Sequence, residues 1–133
     1  MALEDLIYSL EGLSEFTPES VYEVVSKSTV GFKDLENWID YNYPASDSYG
    51  RKMVYDGGFF EVMVMCWKPG DYSAIHDHGE AEFGVVKVFG DTEHATFKIV
   101  NRELITLGRT IVEAGTTLEV TPALIHQMGN PGD

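Results

Sequence analysis

At 133 residues, 44% of them hydrophobic, the chain has the size of one domain able to build its core without disulfides. Nine basic against 22 acidic residues leave a net charge of −13, which argues against a nucleic-acid ligand or an anionic membrane surface. A single cysteine excludes an intrachain disulfide, no apolar run approaches membrane-spanning length, and the acidic start Met1-Ala2-Leu3-Glu4-Asp5 lacks the basic segment of a signal peptide, so a cytoplasmic location is expected.

Leu3, Leu6, Ile7 and Leu10 follow helical spacing and predict a first helix. Thr17-Pro18 reads as an N-cap followed by proline at the first position of a second, and Phe32, Leu35, Trp38 and Ile39 mark one face of a third. The periodicity changes near Pro44. Residues 1–46 are therefore read as a helical leader and 47–133 as a β region, together one domain with the helices packed on the outside. From Arg51 onward, short runs rich in valine, isoleucine, threonine and aromatics are separated by Asp56-Gly57-Gly58, Pro69-Gly70, Gly90-Asp91, Asn101, Gly108 and Gly115. That pattern is expected of antiparallel strands in a small barrel or jelly roll.

Ile75-His76-Asp77-His78 carries the chemistry. Two histidines one residue apart on an extended segment point to the same side and can grip one metal, while Asp77 turns away. His126, in His126-Gln127-Met128-Gly129-Asn130, can close the site from another strand, and neutral imidazoles suffice as the first shell of a catalytic divalent ion. A His-x-His pair alone often means two surface histidines. Here it follows the turn Trp67-Lys68-Pro69-Gly70 and precedes Phe83 to Phe89, which reads as a buried strand closed by Gly90. Glu82 is a candidate extra ligand, whose carboxylate would change the preferred metal. His94, on a strand of its own after Gly90, reads as a surface or edge residue, and Cys66 as a small buried hydrophobe.

The order Gly70, His76, His78, Glu82, Gly90, then Gly115, Pro122, His126 and Asn130 resembles the two motifs of the cupin superfamily. Tyr49-Gly50-Arg51-Lys52-Met53-Val54, the pair Cys66-Trp67 and Ser73-Ala74-Ile75-His76-Asp77-His78 narrow this to a resemblance to cysteine dioxygenase and its bacterial thiol dioxygenase relatives, over roughly Tyr49 to Asn130. The resemblance implies a mainly β, small cupin barrel with external N-terminal helices. It also implies Fe(II) held by His76, His78 and His126 without a carboxylate, a substrate carboxylate bound by Arg51 with Tyr49 beside it, and dioxygen as co-substrate. The implied reaction converts cysteine or a similar small thiol carboxylate to its sulfinate. Histidine sites also accept nickel, zinc, copper or manganese.

Two departures from the family stand out. The cysteine that animal members carry shortly after His-x-His is replaced by Phe83 and Gly84, and the family's His-x-Tyr pair beyond the third metal histidine would fall after Asp133. A barrel without its last C-terminal strand or strands is expected, with an uncovered edge beside His126 that a second copy in a homodimer would cover. No catalytic residue beyond the metal site is identified. Another metal-dependent cupin enzyme, with Glu82 as ligand, and a non-catalytic small-molecule-binding cupin stay open as alternatives.

Overall fold

The computed structural model describes residues 2–44, 49–76, 83–121 and 124–132. It is mainly β, with antiparallel sheets preceded by helices, a cupin-like arrangement. The leader holds α1 (Ala2–Glu11), α2 (Pro18–Lys27) and α3 (Phe32–Leu35), the last running into a 3-10 turn at Glu36–Trp38. α2 starts where the sequence predicts: the Thr17 hydroxyl accepts from the Ser20 amide and the Ser20 hydroxyl accepts from the Thr17 amide, each at 3.0 Å. This reciprocal cap satisfies two amides that the first turn leaves without helical partners. The third helix is shorter than its apolar spacing suggests, because Ile39 is already extended.

The leader is fastened to the first hairpin, formed by β1 (Gly50–Asp56) and β2 (Glu61–Cys66). Tyr55 donates to a Glu11 carboxylate oxygen at 2.6 Å, and Phe16 packs its ring against Phe59 and Phe60 in the hairpin turn. At the other end, the Tyr43 hydroxyl donates to Asp71 at 2.5 Å and accepts from the Lys68 amide at 2.9 Å. Burial and the adjacent Asp71 carboxylate raise the pKa of Tyr43, so this phenol stays protonated and donating across the neutral range. The buried Cys66 thiol donates to the Asp40 carbonyl at 3.0 Å, which accords with its reading as an interior residue.

Gly50 lies under this strap. A Cβ at that position would overlap the Asp40 carbonyl oxygen and come within 2.9 Å of Cys66 Sγ. Gly50→Ala should therefore destabilise the protein by about 1–3 kcal/mol, the range for overpacking a filled interior. A urea midpoint unchanged from the parent would contradict this close approach.

Two further sheets are formed by the described residues. β3 (Gly84–Lys87) pairs with β6 (Thr117–Val120), and α2 packs across both. β4 (Thr92–Val100) is the middle strand of the third sheet, between β5 (Glu103–Val112) and β7 (Ile125–Gly129). The β4–β5 hairpin turns at Asn101 and Arg102, with φ of 50° and 69°. Paired left-handed residues give the turn whose twist matches the strands, and asparagine tolerates that conformation. β3 is shorter than the Phe83 to Phe89 run, whose two aromatics flank the paired strand.

The far edge of β7 corrects one expectation. Residues 70–76 run antiparallel beside it: Gly70 donates to the Asn130 carbonyl at 2.8 Å, Ser73 to Met128 at 2.7 Å, and His76 to His126 at 3.0 Å. The strand carrying His126 is thus flanked on both sides, by β4 and by this segment. Its backbone groups are taken up within the chain.

Candidate metal centre

Alternation along β7 sends His126 and Met128 to one face and Gln127 to the other. Met128 joins the buried cluster with Val88 and Val112, against which Trp67, Val86 and Leu118 pack. His126, 3% exposed, therefore lies on the interior face, next to that cluster.

His76 is brought alongside by backbone geometry. The two residues exchange both main-chain hydrogen bonds, at 3.0 and 2.9 Å, which makes them directly opposed partners whose side chains share a face. Their ring centroids are 4.8 Å apart. Nδ1 of His76 lies 2.7 Å from the Ala74 carbonyl oxygen. A carbonyl only accepts, so Nδ1 carries the proton and the lone pair of the neutral ring sits on Nε2. Metal-ligating histidines are commonly anchored in this way, one nitrogen on a backbone carbonyl and the other toward the ion.

His94 is the residue that reading the sequence missed. It stands on the central strand, half-buried, with Nε2 3.0 Å from Nδ1 of His126 and the two rings nearly perpendicular at 80°. Burial lowers its pKa from the ordinary histidine value, which favours the neutral ring. His94 and Thr96 lie opposite Met128 and His126 respectively, so His94 shares the interior face. The expected surface or edge position is corrected accordingly.

Asp77, His78 and Glu82 fall outside the described residues. Of the expected ligands, His76 and His126 are brought together. Among the described residues no group of three or more histidine, cysteine, aspartate or glutamate side chains is arranged to hold a metal ion. The chemistry of the pair nevertheless fits a divalent cation: two imidazoles on one face, with His76 in the tautomer that keeps Nε2 as a donor.

Arg51 lies on β1 of the first hairpin and Tyr49 immediately precedes that strand. Arg51 pairs with Met65 and Met53 with Met63, so all four share a face, and the Arg51 Nε donates to Met63 Sδ at 3.0 Å. Tyr49 stacks on Trp67, centroids 5.6 Å apart. Trp67 in turn touches the Val88–Val112–Met128 cluster, and the Asn130 side chain donates to its carbonyl at 3.0 Å. Tyr49, at the entry to the hairpin, is therefore joined through one indole to the core beside His126. Arg51 itself is exposed.

No helix of the described residues is long and apolar enough to cross a membrane. Cysteine dioxygenase type 1 of Danio rerio is 28% identical to this chain over 103 residues, which is 77% of the chain and 51% of the relative. The chain thus spans about half the length of this curated relative. The sequence model of the family Cysteine dioxygenase type I matches residues 3–130, from the first helix through the strand of His126 to Asn130. With almost its whole length accounted for in this way, the chain belongs to the cysteine dioxygenase type I family.

Proposed function

We propose that the protein is an Fe(II)-dependent thiol dioxygenase that oxidises cysteine or a similar small thiol carboxylate to its sulfinate. The observation that carries the reading is the mutual backbone bridge between His76 and His126, which sets the exposed His76 imidazole beside the buried His126 imidazole on one face, in a chain of this family. His76, His78 and His126 would hold the metal, with Glu82 outside the ligand set. Bound there, Fe(II) would supply a Lewis acid that favours the thiolate form of the substrate and a redox centre for dioxygen.

The remaining roles fall to the hairpin. Arg51 is permanently charged, and its terminal nitrogens suit a two-pronged hydrogen bond to a carboxylate. Tyr49, two residues before Arg51 and held with its ring against Trp67, would add a hydroxyl to this end of the site. Trp67 and the cluster of Val88, Val112 and Met128 present an apolar wall that limits water near the thiol. A single buried thiol, Cys66, suits a reducing cytoplasm.

Oxygen uptake by anaerobically iron-loaded protein, with sulfinate quantified, tests the reading on cysteine and on 3-mercaptopropionate. Uptake matched by sulfinate supports it; bound iron with no uptake for either thiol argues for a different cupin activity. Arg51→Ala should lower kcat/KM for carboxylate thiols by about 100-fold, the worth of a charge-assisted pair, and leave cysteamine turnover nearly unchanged. An equal loss for both substrates would remove Arg51 from substrate recognition.

A further inference from the structure

We propose that His94 is a positioning residue for the metal centre: its Nε2 accepts the Nδ1 proton of His126 and so holds the His126 ring with Nε2 as the donor nitrogen. The inference rests on the reading of His126 as a ligand, and it assigns a function to a side chain outside the expected set.

The argument begins with the 3.0 Å separation between Nε2 of His94 and Nδ1 of His126. Two neutral imidazoles at this distance share one proton, so one ring donates and the other accepts. The two arrangements are not equivalent for metal chemistry. If His94 donates, Nδ1 of His126 is the acceptor and its proton sits on Nε2, which closes that nitrogen to a metal. If His126 donates, Nε2 keeps its lone pair.

His76 already has Nδ1 on the Ala74 carbonyl and hence its lone pair on Nε2. A matched pair of Nε2 donors on opposed residues requires the second arrangement at His126. There, His94 does for His126 what the Ala74 carbonyl does for His76. A side chain takes that part because β7 is flanked by β4, and diagonal neighbours on one face of an antiparallel pair come within reach of long side chains.

The near-perpendicular rings fix orientation as well as tautomer. At 80° the His94 nitrogen meets the edge of the His126 ring, and rotation of that ring about its Cβ–Cγ bond would break the contact. A ring fixed in this way gives a preorganised ligand, the effect by which partners of metal-bound histidines raise affinity.

Two measurements test the assignment. The first reads the metal-free parent and depends on neither bound metal nor turnover. Long-range 1H–15N spectra, with the rings assigned by single substitutions, should show His126 protonated on Nδ1; protonation on Nε2 would overturn the proposal.

The second compares Co(II) binding and the Co(II) visible spectrum in the parent, His94→Leu and His94→Gln. His94→Leu should weaken Co(II) binding by about 10–100-fold and alter the spectrum, because the ring is no longer oriented. Gln, whose amide oxygen can accept near the position of Nε2, should recover most of the affinity and the parental spectrum. Affinity and spectrum unchanged in His94→Leu would overturn the proposal while leaving the metal reading intact. Equal loss in both variants would make His94 a ligand in its own right, again overturning it. A parent that binds no Co(II) or Fe(II) would overturn the metal reading and this inference together. Thermal unfolding of each metal-free variant separates loss of metal binding from loss of fold.

Discussion

Replacing His126 with alanine should lower affinity for Fe(II) or Co(II) by more than about 100-fold and abolish thiol oxidation, with the metal-free fold retained. Removal of an outer partner of a metal ligand already costs about 10–100-fold in affinity, and loss of a ligand should exceed this. The fold should survive because the main-chain N–H and C=O of residue 126, not its ring, make the bridge to His76, and the pairing of β7 with β4 does not depend on that ring. The buried ring leaves a small void, and His94 loses a partner, so a modest fall in thermal stability is expected. Equilibrium dialysis with the metal, alongside circular dichroism, checks both halves. A variant that binds metal as tightly as the parent would remove His126 from the centre. His76→Ala should behave in the same way, with less effect on stability because that residue is exposed.

Phe97→Ala should give the largest loss of stability, about 3–5 kcal/mol, the usual cost of removing a buried aromatic ring. Phe97 is 6% exposed on the central strand β4, opposite Ile125 on β7. On the other side the register slips: Thr96 faces Gly108 while Phe97 faces Thr106, so Leu107 is the extra residue of a bulge. The ring thus sits where the ladder is least regular and where packing must hold the sheet together. Natural domains are stable by only about 5–15 kcal/mol, so the substitution would consume much of the margin. Urea unfolding followed by tryptophan fluorescence measures it, with an unchanged slope marking loss of stability without a change in the area exposed. Because Thr96, the preceding residue, opposes His126, metal affinity should fall as well. A midpoint close to the parent's would mean that the pocket around Phe97 relaxes to fill the space.

What the sequence made legible was local chemistry. Thr17-Pro18 marks the start of α2 because cap and proline act within one turn, and Gly90, Asn101 and Gly115 fall at breaks between strands because turn conformation is a property of a few adjacent residues. His76 and His126 are recognisable from motif spacing, and the structure brings them together. His94 was not legible, and the reason is physical. Along Thr92 to Phe97 the alternation places Ala95 and Phe97 on one face, which reads as inward, and His94 on the other, which reads as outward.

Both faces of β4 are covered instead. Ala95 lies opposite Arg109 and Gln127, whose side chains bond to each other at 3.2 Å, while the face of His94 looks onto His126. Period-2 alternation distinguishes in from out only when one face meets water. The edge beside His126 was misjudged for a related reason. Its partner is residues 70–76, fifty or more positions earlier, a pairing that no local pattern encodes.

The bridge between His76 and His126 also bears on how such a centre can change. Its spacing is inherited from the peptide ladder, so the positions of residues 76 and 126 are independent of what their side chains are. Exchanging one imidazole for a carboxylate or a thiol would alter the charge and softness of the donor set while the two anchor points stay where they are. Under the proposed metal reading, the chain would act as a fixed two-point mount on which different metal chemistries can be tried by single substitutions, each without a redesign of the backbone.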